Sequence, residues 1–246
     1  MNIGRHTIAA LLILISWVLL WFSHRDHANE SESNWVQSQW MLRNFMARWD
    51  ISPVIDLWTL EKENLYALGA YWNLQWEIII LDGKSLGTRY DQNEVTIDRE
   101  FWDDTSSLLV YDYVEARESF PLWNSVDKDW LQEAIKSRAD EYWIDTSEPF
   151  VFQLQWVLVS AEYHIIDRDP NDLEHTHEKH LTSWYQWVFE NEEVTILWFY
   201  SDSHQWVFTH HSTYLHMHIW NEQQQLWGHI DELQTSDGMV LFLPKK

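Results

Sequence analysis

The stretch YLHMHIWNEQQQLWGH (residues 214–229) contains three histidines, two of them separated by a single methionine. Its first half, YLHMHIW, has the aromatic and aliphatic composition of a strand, and strand side chains alternate between two faces. His216 and His218 therefore share one face, about 6.5 Å apart. The polar run NEQQQ predicts a turn. A hairpin centred on this turn places His229 opposite His218, so three imidazoles converge on one face.

Three imidazoles that leave a fourth position open are the arrangement of a catalytic zinc site. The chain contains no cysteine, so a metal ion must be held by histidine and carboxylate side chains. Without a metal, three charged imidazoles at this spacing would repel one another. The sequence therefore predicts that His216, His218 and His229 bind one zinc ion per chain. The alternative is a surface hairpin that is merely rich in histidine.

The composition limits the class of partner. The chain has 246 residues, of which 39 are acidic and 16 basic, and its formal net charge is −23. A surface this acidic repels phosphate backbones, which argues against nucleic-acid binding. Hydrophobic residues make up 46% of the chain, enough to bury a core.

The amino terminus predicts a targeting segment. A basic start, MNIGRH, precedes the uncharged apolar run TIAALLILISWVLLWF (7–22) and a polar exit. A helix of this length spans about 24 Å, short of the ~30 Å hydrocarbon core, which suits a signal peptide. However, Asp26 stands where a cleavage site has a small residue. We expect residues 1–28 to be a signal peptide or a membrane anchor, and the protein to be exported.

The remaining chain predicts an α+β fold with mixed, mostly antiparallel β-sheets and a few helices. Helical patterns occupy the first half of residues 34–64 and residues 125–141, whereas EIIILDGK (77–84) is typical of a buried strand ending in a turn. Further strands are predicted at 150–166, 192–201, 214–220 and 238–244. Because helices concentrate before residue 150 and strands after it, we expect an N-terminal α+β subdomain (29–149) and a C-terminal β-rich subdomain (150–246). The metal site lies on the C-terminal hairpin, and both subdomains form one compact unit.

Three separated segments carry a resemblance to a known family. HMHIWNEQQQLWGHIDEL (216–233), YALGAYWNLQWEIIILDGK (66–84) and ILWFYSDS (196–203) resemble, in the same order, segments of the alpha-acetolactate decarboxylases. The resemblance implies zinc on the three histidines and Glu77 as a catalytic carboxylate in the cleft. The family's arginine is replaced in register by His164, which we assign to substrate binding. The family's C-terminal glutamate has no clear counterpart, and Asp237 is the nearest acid.

The family's activity is the decarboxylation of 2-acetolactate to acetoin. The resemblance therefore implies a small anionic substrate, a Lewis-acidic zinc ion and a carboxyl group that handles protons. A homodimer is compatible with the sequence. Two alternatives stay open. A cupin-like metalloenzyme would use the pattern His-x-His-x-x-x-Glu ending at Glu222, and an exported histidine-rich metal-binding protein would use segments such as EHTHEKH (174–180).

The tryptophan and glycine contents are unusual. The chain has 6 glycines and 19 tryptophans, whereas average usage of about 7% predicts roughly 17 glycines. Positions that are glycine in the family are Trp76, Trp198 and Trp206 here. We hypothesise that several tryptophans are encoded by UGA and read as glycine in the organism. UGG codons at these three positions would contradict the hypothesis.

Overall fold

The computed structural model describes residues 37–39, 51–91, 94–166, 184–205, 207–209 and 213–245. The predicted targeting segment (1–28) and the segment EHTHEKH (174–180) lie outside these ranges. Within the described ranges, no helix combines the length and apolar character needed to cross a membrane. All described residues belong to one compact unit, Trp35–Lys246. The predicted subdomain boundary at 149/150 stays a prediction.

The first sheet is antiparallel and built from the amino-terminal part of the described chain. Its strands are β1 (Gln37–Gln39), β2 (Ile55–Asp56), β3 (Leu65–Tyr71), β4 (Glu77–Leu81), β5 (Lys84–Asp91), β6 (Glu94–Asp98) and β7 (Thr105–Tyr113). They are arranged in the order β1-β7-β3-β4-β5-β6, with β2 also paired to β7.

The second sheet consists of β8 (Arg117–Pro121), β9 (Phe150–Val157), β10 (Ser160–Ile166), β11 (Trp184–Glu190), β12 (Glu193–Tyr200), β13 (Leu215–Asn221), β14 (Leu226–Gln234) and β15 (Val240–Pro244). It is also antiparallel and has the order β11-β10-β14-β13-β12-β9-β15-β8. Helix α1 (Lys128–Glu141) connects β8 to β9. The mostly antiparallel α+β class is therefore confirmed.

Two predictions about the first half of the chain are wrong. Residues 37–39 were expected to be helical, but they form β1, which pairs with β7. Strands also do not concentrate after residue 150, because the whole first sheet and β8 precede it. Strand β3 shows the reason. All seven of its residues are buried, and a short run buried on both faces lacks the alternation that distinguishes strand from helix.

The faces of β4 separate two hydrophobic cores. Ile78 and Ile80 pack on the outer face of the first sheet, together with Leu57 and Leu109. Ile79 and Leu81 point the other way, into a core that joins both sheets. That second core also contains Leu68 and Val110 of the first sheet, and Leu197, Phe199 and Trp227 of the second. The opposite face of the second sheet packs on α1 through residues that include Leu131, Ile135 and Ala139. The central strands of the second sheet are therefore buried on both faces.

Helix α1 begins and ends with recognisable capping motifs. The side chain of Asp127 accepts a hydrogen bond from the backbone N–H of Trp130 (2.9 Å), as an N-cap residue does. At the C-terminus, Ile144 N–H donates to Ala139 O and Trp143 N–H to Asp140 O, the pairing of a Schellman motif. The helix predicted at 125–141 is confirmed at 128–141.

Two tryptophans occupy backbone conformations that favour glycine. Trp143 has a φ of 59° at the position of the Schellman motif that glycine normally fills, and its side chain is 89% exposed. Trp156 has a φ of 122°, a region that only glycine enters without strain. Trp76 and Trp198 have no positive φ, and Trp206 lies outside the described residues. The backbone conformations at Trp143 and Trp156 support the hypothesis that some tryptophan positions are glycine in the organism.

Candidate metal centre

The hairpin β13–β14 has the register that the sequence predicts. His218 pairs directly with His229, and Ile219 with Gly228. The ring centroid of His216 lies 5.2 Å from that of His218 and 5.2 Å from that of His229. The centroids of His218 and His229 are 5.5 Å apart. One ring nitrogen of each histidine lies within 4.8 Å of the others. The predicted convergence of three imidazoles is present.

The histidine cluster faces the first sheet. His216 and His218 pair across strands with Phe199 and Leu197 of β12, and paired residues of an antiparallel sheet point to the same face. Both β12 residues belong to the core between the sheets. His216 and His218 are correspondingly buried, with 6% and 1% of their surface exposed. The site therefore lies between the two sheets, with His216 and His218 buried and His229 partly exposed.

Gly228 allows strand β14 to approach β10 closely. A Cβ atom at this position would lie 2.3 Å from the backbone oxygen of His164, so any larger residue would force the strands apart. His229 follows directly and pairs with His164 across the strands. Their ring centroids are 5.0 Å apart. The glycine thus brings a fourth imidazole beside the cluster.

Burial keeps the three histidines of the cluster neutral. Desolvation is the main cause that lowers the pKa of His216 to about 4, and the nearby His164 lowers it further. Desolvation, followed by the neighbouring histidines, also holds the pKa values of His218 and His229 well below the usual range. A neutral imidazole has a nitrogen lone pair available for a metal ion. The Nδ1 atoms of His216 and His218 have no hydrogen-bond partner among the described residues. The three side chains therefore fit a divalent transition metal such as zinc.

Glu77 reaches the cluster from the first sheet. It is the first residue of β4 and 4% exposed. Its Oε1 accepts a hydrogen bond from the backbone N–H of Ile166 (3.3 Å), and its Oε2 lies 3.6 Å from Nε2 of His218. Burial raises the pKa of Glu77 to about 7, although His164 opposes this shift. The structure thus places the carboxyl beside the predicted ligands, and its catalytic role stays a prediction.

His164 is held by an acid that sequence reasoning missed. Its Nδ1 lies 2.9 Å from both carboxylate oxygens of Asp231, and 6% of the residue is exposed. Asp231 follows His229 by two positions on β14, and its contact with His164 places it on the same face as His229. This spacing was the available signal. Its meaning depended on knowing that β10 pairs with β14. The assignment of His164 to substrate binding stays a prediction.

Other candidate residues lie away from the cluster. Glu222, the carboxylate of the cupin-like pattern, is exposed in the turn after β13. Among the described residues, the side chains that could hold a metal are those of the three histidines. Asp237 is exposed in the turn before β15. The described geometry therefore favours the hairpin site over a cupin-like set.

The fold and the site together define a two-sheet protein with a largely buried three-histidine centre. Solved structures with this fold include alpha-acetolactate decarboxylase from Bacillus subtilis strain 168 (TM-score 0.66, 13% identity, 86% of each chain covered). The acetolactate decarboxylase from Bacillus subtilis subspecies spizizenii also has this fold (TM-score 0.67, 13% identity, 86% of each chain covered). A Staphylococcus aureus protein of unknown function, described as similar to alpha-acetolactate decarboxylase, has it as well (TM-score 0.67, 15% identity, 87% of each chain covered). No family model matches the sequence, and no curated protein matches it. The chain has the fold of the alpha-acetolactate decarboxylases.

Proposed function

We propose that this protein is a zinc-dependent carboxy-lyase that converts 2-acetolactate to acetoin and carbon dioxide. The observation that carries the proposal is the largely buried cluster of His216, His218 and His229, which faces the carboxyl of Glu77 between the two sheets. The likeness of fold to acetolactate decarboxylases supports the choice of reaction.

The chemistry requires charge stabilisation and one proton. The bond between the carboxylate and the carbinol carbon breaks, carbon dioxide leaves, and the electron pair is delocalised onto the neighbouring ketone oxygen. A zinc ion on the three histidines would supply the Lewis acidity that stabilises this charge. The carbinol carbon then receives a proton, which completes acetoin.

Glu77 supplies this proton. Its carboxyl is positioned from the first sheet, opposite the histidines on the second, and the Ile166 N–H fixes one of its oxygens. The other oxygen lies on the side of His218. Because the carboxyl reaches a bound substrate from one side only, protonation occurs on one face of the carbon and gives a single configuration of product.

His164 binds the carboxylate end of the substrate. Asp231 accepts a hydrogen bond from Nδ1 and thereby fixes the orientation of the imidazole next to His229. When both ring nitrogens carry a proton, Nε2 is the donor that stands where the family has an arginine. We also propose that the protein is exported, a proposal that the amino-terminal apolar run (7–22) supports.

The decisive experiment is an acetoin assay with purified, zinc-loaded protein and 2-acetolactate. We expect acetoin to form well above the uncatalysed background, to cease with a chelator and to return with added zinc. The variant His218→Ala is the matched control, because it removes one ligand and leaves the remaining site in place. Acetoin formation no faster than background in the zinc-loaded protein would contradict the proposed function.

A further inference from the structure

The hydroxyl of Thr88 is buried without a hydrogen-bond partner. Thr88 lies in β5 and has no exposed surface (0%). Its Oγ1 makes no hydrogen bond to any of the described residues. Buried hydroxyl groups in proteins are normally paired, so this one requires a physical explanation.

Thr88 is the direct cross-strand neighbour of Glu77. The two residues pair between β4 and β5, which puts their Cβ atoms about 5 Å apart on the same face of the sheet. Leu86, two residues before Thr88, belongs to the core between the sheets, and so does Ile79, two residues after Glu77. On its other side Thr88 pairs with the apolar Ile97. The hydroxyl therefore points to the same side as the Glu77 carboxyl.

That side faces the histidine cluster. The Glu77 carboxyl spans the gap to the second sheet, where it meets the backbone of Ile166 and the ring of His218. Strand β5 itself packs against β10 and β14, which carry His164 and His229. The unpaired hydroxyl thus lies on the face of β5 that is turned toward Glu77 and the histidines.

The energetics make a purely structural role unfavourable. An unpaired buried hydroxyl costs about 1–3 kcal/mol of stability. Valine has nearly the same shape, carries no polar atom and favours strands equally. A position selected for stability alone would therefore be valine, and a threonine indicates that the hydroxyl is used when something else is bound.

We propose that Thr88 contacts the substrate. Its hydroxyl forms a hydrogen bond with the hydroxyl group of a small 2-hydroxy acid that is held at the histidine cluster. This inference rests on the proposed function, since it concerns the same site. Thr88 stands beside the group that protonates the carbinol carbon, so the substrate oxygen nearest to it is the hydroxyl of that carbon. The contact fixes which face of the carbon meets Glu77.

Two substitutions separate the hydroxyl from the rest of the side chain. Thr88→Val keeps the shape and removes the hydroxyl, whereas Thr88→Ser keeps the hydroxyl and removes a methyl group. The probe is 2-hydroxyisobutyrate, which has the hydroxyl and the carboxylate but lacks the ketone that decarboxylation needs. Its binding to the zinc-loaded protein is measured by calorimetry, and the thermal midpoint of each variant is measured without the probe.

We expect Thr88→Val to raise the thermal midpoint and to weaken binding of 2-hydroxyisobutyrate about threefold to tenfold. Thr88→Ser should bind the probe within about twofold of the wild type. The matched control is Ser85→Ala, on the outer face of the same strand, where the hydroxyl donates to Arg99 O (2.9 Å). This control should lose stability and keep its affinity for the probe.

Unchanged affinity in Thr88→Val would overturn the inference, because the hydroxyl would then have no part in ligand binding. Failure of the wild-type protein to bind the probe would overturn it as well. The proposed function fails separately. If the wild type binds 2-hydroxyisobutyrate through Thr88 and yet forms no acetoin from 2-acetolactate, the proposed contact is supported and the proposed reaction is contradicted.

Discussion

Replacing Glu77 by glutamine tests the proton-transfer role without disturbing the fold. Glutamine has the shape of glutamate, and its amide oxygen can accept the Ile166 N–H that the carboxylate accepts at 3.3 Å. The three histidines are untouched. We therefore expect Glu77→Gln to fold, to carry one zinc ion and to have lost the group that donates the proton.

The expected loss of activity follows from the chemistry of a positioned acid. General acid–base catalysis contributes about 10²- to 10⁴-fold, so acetoin formation should fall at least ~10²-fold, or about 2.7 kcal/mol of transition-state stabilisation. Initial rates of acetoin formation at saturating 2-acetolactate measure this loss, and elemental analysis of the same sample confirms the zinc content.

Asp112→Asn is the matched control for Glu77→Gln. Asp112 is a partly buried acid of the same sheet, on β7, and pairs with Tyr66. Tyr66, the partner of Asp112, and Ala70, the partner of Glu77, are four residues apart on β3. The positions of the two acids are therefore separated by about 13 Å along the strand direction. This control should keep full activity. Full activity in Glu77→Gln, or an equal loss in both variants, would refute the assignment of the proton donor.

Three further predictions concern the metal, the backbone and pH. Alanine at any one of His216, His218 and His229 should abolish stoichiometric zinc in elemental analysis; a full equivalent in all three variants would contradict the site. Trp143→Gly should raise the free energy of unfolding by about 1 kcal/mol, because its φ is 59°; a less stable variant in urea unfolding would count against this. Burial raises the pKa of Asp112 to about 6, so the fold holds this proton more tightly than the unfolded chain and loses stability as pH rises from about 4 to 6. Asp112→Asn should therefore gain up to about 3 kcal/mol over the wild type between pH 4 and pH 8; an equal difference at both pH values would refute it.

The metal cluster could be read from the sequence because its geometry is local. The turn between β13 and β14 sets the register of the hairpin, and the register places His218 opposite His229. Helix α1 was likewise predictable from its periodicity, with Leu131 and Ile135 on the buried face.

The rest of the site depends on contacts between distant strands. Asp231 acquires its role only when β10 lies beside β14, and Thr88 becomes an unpaired polar group only when the second sheet covers β5. Neither contact has a signature in the local sequence. The extent of the first sheet was missed for a related reason, since β3 is buried on both faces and shows no alternation.

Titration of the metal-free protein with zinc, followed by acetoin formation from 2-acetolactate, measures the dependence of the reaction on the histidine cluster. We predict that the rate rises linearly and stops rising at one zinc ion per chain, and that His218→Ala shows no such rise. A rate that does not depend on zinc, or that climbs steadily through several equivalents, would contradict a reaction performed at this single centre.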